Sequence, residues 1–323
     1  PPIRGLSSFL GVNSGTVVSA YKLLEEKGYV ISKMGSGTYV AFDTVPDLKS
    51  GGKSPEYTAF EETAQFAKIN AEYTFDFKGA SISPEFFPVE EFKEVIDEVL
   101  LRDNGYAFGY QEPEGYLPLR EAIRDFVLHK SGISPAADAI QIVSGAQQGI
   151  DVIAKTMLDF QDTVLVESPT YTGAINAFRS YGAKIVQVPM ERDGADITEF
   201  KNLLLSKSPK LFYSMPNFQN PTGYDYSPEK RIELLKLAEE YDFYIVEDDH
   251  INDLFYGKEP TLLKSIDEKD RVFYIKGFSK PFMPGIRLAF ILPPQAFSEK
   301  IAHAKYATDI FSSGLFQRSM ELF

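Results

Sequence analysis

A lysine follows a serine at three places in this chain, Ser32-Lys33, Ser206-Lys207 and Ser279-Lys280, so the pair by itself carries no chemistry. Context separates them. Lys280 alone follows a strand-like run, Val272 to Ile275, through Gly277, and precedes Pro284-Gly285-Ile286-Arg287, which returns into a second run, Leu288 to Leu292. An amine and a guanidinium converging on one strand-end crevice suit a carbonyl compound that carries a phosphate. The amine can form a Schiff base, and the guanidinium grips phosphate oxygens as a two-pronged fork. Other polar residues interrupt apolar runs in the same way. Glu247-Asp248-Asp249 ends the apolar stretch Phe243 to Val246, where a carboxylate is costly to dehydrate without a cationic partner; a solvated strand end is the alternative. Ser144-Gly145-Ala146-Gln147-Gln148 follows Ile140 to Val143 and opens a helical stretch. Small residues there let backbone N–H groups and a helix N-terminus approach an anion, most naturally a phosphate, although most such turns bind nothing. Asn220-Pro221-Thr222-Gly223, after Leu211 to Ser214, reads equally well as an ordinary Asn-Pro turn.

Each of these groups lies just past a predicted strand, and that placement dictates the elements. The strand-like runs are Ile140 to Val143, Thr163 to Glu167, Lys184 to Val188, Leu211 to Ser214, Phe243 to Glu247, Val272 to Ile275 and Leu288 to Leu292. Between them lie helical stretches such as Pro118 to Lys130, Gln147 to Phe160 and Pro228 to Tyr241. Strands with little polar alternation, separated by helices, describe an α/β domain: a mostly parallel sheet sandwiched by helices, with ligands at the carboxyl ends of the strands.

The 323 residues predict about two domains. Their composition, 44% hydrophobic and 24% charged, excludes disorder and fibrous architectures. No apolar run approaches a membrane span and no signal-type segment is seen, so a cytoplasmic location is expected. With no cysteine there are no disulfides, thiolate metal sites or cysteine nucleophiles, and His129, His250 and His303 are too scattered for a metal cluster. A net charge of −13 argues against nucleic-acid binding over the whole surface but allows a local patch.

Residues 1–42 read as such a local unit. Ile3 to Leu10 carries a short helical pattern, Gly11-Val12-Asn13 a tight turn, and Ser14 to Lys27 a second helix with Val17, Ala20, Tyr21 and Leu24 on one expected buried face. Gly28 ends it, and Tyr29-Val30-Ile31 leads through Met34-Gly35-Ser36-Gly37 into a second strand. Helix, turn, helix and hairpin are the order of a winged helix. Such a unit would put Asn13, Ser14, Gly15 and Thr16 nearest the bases of the major groove, with Lys22, Lys33 and the wing amides at phosphates. Four basic residues against two acidic ones give a charge of only +2, and a helical domain making protein contacts is the alternative. Residues 43–72, with Lys49-Ser50-Gly51-Gly52-Lys53-Ser54-Pro55 and one short helical stretch from Phe60 to Ile69, read as a linker.

The words Pro-Ile-Arg-Gly-Leu-Ser, Asn-Ser-Gly-Thr-Val-Val-Ser-Ala-Tyr, Leu-Glu-Glu-Lys-Gly-Tyr-Val and Gly-Ser-Gly-Thr-Tyr-Val resemble, in order, the winged-helix domain of GntR-family repressors. From about Tyr73 to Phe323 the ordered motifs Ser-Gly-Ala-Gln, Pro-Thr-Tyr, Asn-Pro-Thr-Gly, Glu-Asp-Asp, Ser-Lys and Pro-Gly-Ile-Arg resemble a fold-type I, class I/II aminotransferase. The fusion of the two is similar to the MocR subfamily of transcription regulators.

That resemblance implies a site residue by residue. Lys280 would hold pyridoxal 5′-phosphate (PLP) as a Schiff base, and Asp248 would pair with the pyridine nitrogen. Asn220 would hydrogen-bond the phenolic oxygen and Tyr171 would stack on the ring. Ala146 and Gln147 would bind the phosphate through their amides, with Ser279 and Arg287 completing the cup. Tyr110, within Phe108-Gly109-Tyr110-Gln111-Glu112-Pro113-Glu114-Gly115-Tyr116, matches a tyrosine that reaches the neighbouring subunit's phosphate, which implies a homodimer. Three departures stand out. His250 replaces a tyrosine that donates to the phenolic oxygen, Gly277 replaces a phosphate-binding hydroxyl, and the substrate-carboxylate arginine belongs to a C-terminal small domain that this chain barely begins. With Pro1 in place of a methionine, no first winged-helix helix, and an end at Phe323 within an amphipathic pattern, both ends are expected to be cut.

Two functions follow from the resemblance. One is a regulator in which PLP, or PLP with an amino compound, biases DNA binding; the other is a working aminotransferase acting on an amino acid and a 2-oxo acid. Retention of Lys280, Asp248, Asn220 and Arg287 disfavours a third, a cofactor-free dimerisation scaffold.

Overall fold

A computed structural model of the chain describes residues 2–33, 37–40, 83–257 and 259–323. The predicted linker 43–72, its helix at Phe60 to Ile69 and the wing turn Met34-Gly35-Ser36 lie outside the described residues. The chain divides into two units, Pro1–Tyr73 and Thr74–Phe323.

In the first unit, α1 (Ile3–Leu10) stops at Gly11, whose φ of +64° is open to glycine at little cost. α2 (Ser14–Glu26) starts at Asn13, whose side-chain oxygen accepts the Gly15 N–H at 2.7 Å. β1 (Val30–Lys33) and β2 (Gly37–Val40) pair antiparallel, with Lys33 opposite Gly37. The expected apolar face is only partly covered: Val17 is buried and Tyr21 half-buried, but Ala20 and Leu24 are exposed. Among the described residues α2 packs on α1 and β1.

The second unit opens with α3 (Val89–Asp103) and α4 (Leu117–Ser131). There follow β3 (Gln141–Val143), α5 (Ala146–Met157), β4 (Thr163–Ser168), α6 (Thr172–Ser180), β5 (Lys184–Glu191), β6 (Gly194–Ala195) and α7 (Ile197–Lys207). The remainder comprises β7 (Leu211–Ser214), α8 (Pro228–Glu240), β8 (Tyr244–Asp249), β9 (Val272–Gly277), β10 (Ala289–Leu292), α9 (Ser298–Asp309) and α10 (Gly314–Leu322). The strands form one sheet in the order β3-β10-β9-β8-β7-β4-β5-β6. β5, β4, β7, β8 and β9 run parallel, while β10 is antiparallel to both its neighbours and β6 to β5.

Apolar cores lie on both faces of this sheet. Ile150, Ile153, Phe178 and Phe273 belong to one, and Phe200, Phe212, Leu234 and Phe243 to the other. All four residues of β7 and all six of β9 are buried, which is why those strands show no polar alternation in the sequence. Two-sided burial also leaves polar side chains only the strand ends. Because β3 is antiparallel to β10, its carboxyl end shares an edge with those of β4, β7, β8 and β9, and the loops beyond them converge there.

Candidate functional site

On that edge lies a cavity of about 360 Å³ lined by Ala146, Gln147, Tyr171, Met215, Asn220, Asp248, His250, Gly277, Ser279, Lys280 and Arg287. It gathers the whole expected cofactor set except Tyr110. That residue is 87% exposed and sits edge-on to Phe311 at 5.5 Å, away from the cavity wall of this chain. Larger grooves of about 480 and 660 Å³ lie beside Arg231 and Lys300. Size does not rank them above the smaller cavity, because neither holds an amine, a guanidinium and an incompletely bonded buried acid together.

Asp248 is the central feature. It is 5% exposed near the end of β8, and its Oδ2 accepts the Tyr213 hydroxyl at 2.5 Å while its Oδ1 has no hydrogen-bond partner. Burial pushes its carboxyl up to about 6, against the Tyr213 hydrogen bond that favours the ionised form. A buried carboxylate oxygen without a donor is costly, and it marks a place for one.

The same cavity holds an anion cradle. Gly145 caps the N-terminus of α5 with φ +94°, and a Cβ there would lie 2.4 Å from Arg287 Nη2. Only glycine lets the guanidinium come so close. Arg287 itself adopts a left-handed φ of +51° and donates from Nη2 to the Ser144 carbonyl at 3.2 Å. The Ser144 hydroxyl donates to Asp309 Oδ2 at 2.8 Å, tying the cradle to α9. The N–H groups opening α5 and the Arg287 guanidinium therefore supply a positive end suited to a phosphate.

Between these ends lies Tyr171, whose hydroxyl donates to Gln147 Oε1 at 3.1 Å; Gln147 Nε2 in turn donates to the Gly173 carbonyl at 2.9 Å. Lys280 follows β9, and burial lowers the pKa of its amine, favouring the neutral nucleophilic form. His250 is half-buried on the same wall. Burial lowers its pKa too, and its Nδ1 has no hydrogen-bond partner.

The loop carrying Asn220 is held by residues that sequence reasoning missed. Glu167, fully buried at the end of β4, accepts from Ser214 Oγ (2.6 Å), Tyr226 Oη (2.9 Å), Gln219 Nε2 (3.0 Å) and the Met215 N–H (3.1 Å). Burial outweighs these bonds and raises its pKa. Arg231 of α8, 4% exposed, donates to Pro216 O, Asn217 Oδ1, Tyr226 O and Thr261 O. Only Arg231 left a signal in the sequence, as a basic residue three positions before the core residue Leu234. Tyr213, the partner of Asp248, reads as one more apolar strand residue.

The expected DNA-contacting residues Asn13, Ser14, Gly15, Thr16, Lys22 and Lys33 are all exposed in the first unit. The Asn13 oxygen is taken by its cap, the Ser14 hydroxyl lies 3.2 Å from that of Ser7, and the Lys33 amine lies over the Tyr39 ring. Among the described residues no group of His, Asp and Glu side chains could hold a metal ion, and no helix is long and apolar enough to cross a membrane.

A mixed, largely parallel sheet with an amine, an orphaned acid and an anion cradle at its carboxyl edge defines a fold-type I domain that binds PLP. Residues 82–320 match the family described as Aminotransferase class I and II, and the chain belongs to that family. Relatives at similar distance carry two kinds of name. An uncharacterised HTH-type transcriptional regulator of Bacillus subtilis, YdfD, is 34% identical over 332 residues, covering 98% of this chain and 68% of that protein. The probable rhizopine catabolism regulatory protein MocR of Rhizobium meliloti is 29% identical over 328 residues, 99% of this chain and 66% of that protein. The crystal structure of kynurenine aminotransferase from Pyrococcus horikoshii, solved with PMP, superposes with a TM-score of 0.73 at 30% identity, covering 84% of this chain and 67% of that one. The chain thus spans about two thirds of the length of each.

Proposed function

We propose that this chain is a PLP-dependent transcription regulator of the MocR kind. A winged-helix domain (1–42) would be joined by a linker (43–72) to an aminotransferase-like domain (73–323) that senses PLP or an amino compound. The observation that carries the cofactor half of this reading is the unpartnered Asp248 Oδ1, facing the same cavity as Lys280 and the α5 cradle. When bound, PLP supplies an aldehyde that condenses with amines and a ring that draws electrons from the product. Asp248 would accept the ring N–H at its open oxygen, and Tyr213 keeps the other oxygen fixed. The amides of Ala146 and Gln147, with Ser279 and Arg287, would hold the phosphate, and Asn220 and His250 would meet the ring's oxygen. Tyr171 would stack on the ring. Lys280, whose amine burial shifts toward the neutral form, would be the group presented to the aldehyde and could hold or pass a proton at Nζ.

The regulatory half is supported by relatives named as regulators along nearly all of this chain and by the exposed N-terminal end of α2. Linkage then requires the effector to bind two arrangements of the protein unequally. Tyr106, Phe108 and Tyr110 are each at least 69% exposed, which supports a second copy covering them in a homodimer. Salt-sensitive, sequence-selective binding of the upstream region of its own operon, measured by fluorescence anisotropy and altered by PLP, is the expected result. Binding without selectivity rejects the regulator.

The cofactor residues gathered in one cavity favour one other reading, a catalytic aminotransferase. Sustained 2-oxo acid production at roughly 1 per second or faster, with an amino acid and a 2-oxo acid supplied, would establish it.

A further inference from the structure

Behind the cavity wall, beneath His250, four charged side chains are packed together. Lys276 on β9 stands opposite Asp249 on β8 in the sheet register and is 1% exposed. Its Nζ donates to Asp249 Oδ1 at 3.0 Å and reaches Asp253 Oδ2 at 2.5 Å. Asp249 also accepts the Tyr274 hydroxyl at 2.6 Å and the Asn252 N–H at 3.0 Å, and Asp253 pairs with Lys130 of α4. Asp249 immediately precedes His250 and Asp253 follows it by three residues. One buried ammonium therefore ties down both ends of the turn that carries the imidazole.

The charges balance as well. Two cations and two anions leave the cluster neutral, and a buried lysine with such partners is tolerated where a lone one is not. The charges acting on His250 are Asp249 from β8, Lys276 from β9 and Lys280 just beyond it; Asp248 lines the same cavity, and Asp253, three residues on in its own turn, is paired with Lys130. Removing one member leaves a net unit charge close to the imidazole, where screening by water is weak.

We propose that Lys276 is a positioning residue of this site: it fixes the His250 turn and balances the two aspartates, so that His250 meets the cofactor's ring oxygen as a neutral imidazole. The consequence for the cofactor rests on the PLP reading above, but the clamp is a property of the cofactor-free protein and is tested there.

The chain has three histidines, of which His129 and His303 are exposed and serve as internal references. Their ring resonances are followed by NMR through a pH titration of the cofactor-free full chain, with His250→Gln assigning the third. Lys276→Met should raise the His250 midpoint by about one pH unit, since an unbalanced negative charge favours the imidazolium. Asp253→Asn should lower it by about as much, for the opposite reason. The double variant Lys276→Met/Asp253→Asn should return to within about 0.3 unit of the parent, and Lys276→Arg should match the parent. Midpoints that do not move, or that move the same way in both single variants, overturn the proposal. If Lys276→Met does not fold, Asp253→Asn and the double variant still decide it. Adding PLP then separates the two ideas. Opposite histidine shifts in a protein that gains no PLP absorbance would uphold the clamp and reject the cofactor.

Discussion

β8 ends in three consecutive buried acids, and the strand's alternation sends Glu247 and Asp249 to one face and Asp248 to the other. On the first face every oxygen has a partner. Glu247 accepts the Leu263 and Lys264 N–H groups at 2.8 Å each, and Asp249 is bonded by Lys276, Tyr274 and the Asn252 N–H. On the cavity face Asp248 has only Tyr213, on one oxygen. Burial raises the pKa of both Glu247, to about 7, and Asp248, to about 6, so desolvation does not distinguish them. What separates the two acids here is the unfilled hydrogen-bond position of Asp248, a cost that a ligand's donor would remove.

The most severe way to break this comparison is to remove the amine that lines the same cavity as Asp248. Lys280→Ala should abolish the covalent pyridoxyl adduct that borohydride fixes on the PLP-loaded chain, read by mass spectrometry of the intact protein. A full-yield adduct in the variant would place the reactive amine elsewhere and detach the two faces from any shared chemistry.

Next in size is Asp248→Asn. The amide keeps an acceptor for Tyr213 but offers no charge to a protonated ring nitrogen, so PLP affinity should fall by roughly 10²-fold, the worth of one charge-assisted hydrogen bond. Fluorescence titration measures it. The same change should stabilise the cofactor-free protein, because a buried, half-bonded charge is gone. The sign follows from linkage: folded Asp248 holds its proton to about pH 6, whereas its ordinary value is 3.8. Wild type therefore loses stability as pH rises through that window and the variant does not. By pH 8 the variant should be ahead by about 3 kcal/mol in urea unfolding, and at pH 4 by almost nothing. A constant gap across pH would show that packing, and not ionisation, separates them.

The sequence made most of this site readable because its residues are bound to local features: a lysine past a strand, glycine at a helix start, acids ending an apolar run. The sheet was equally plain, since two-sided burial leaves β7 and β9 without polar alternation. What stayed hidden is the support. Glu167 closes a strand-like run with nothing local to set it apart, and its partners Ser214 and Tyr226 lie 47 and 59 residues away and meet it only once the sheet is assembled. Lys276, just past the predicted run Val272 to Ile275, is hidden for the same reason. In the first unit the helical period correctly places Val17 inward, but period alone cannot say how far a neighbour extends, and Ala20 and Leu24 are exposed. Residue type thus locates a site more readily than it identifies what holds that site in shape.

The smallest expected effect sharpens the contrast most. Glu247→Gln alters the same strand one residue away, and two consequences oppose each other. Losing a buried charge is favourable above about pH 7, where Glu247 is ionised. Against that, the amide turns an N–H toward one of the two backbone donors and leaves that buried donor unsatisfied, at up to about 3 kcal/mol, which nearly cancels the roughly 3 kcal/mol that the shift from 4.5 to about 7 is worth. Stability at pH 8 should change by less than about 1 kcal/mol, and PLP affinity should stay within roughly threefold of wild type, because the side chain lies on the face away from the cavity. A loss approaching that of Asp248→Asn would mean that charge near the strand end, and not the open oxygen of Asp248, governs binding.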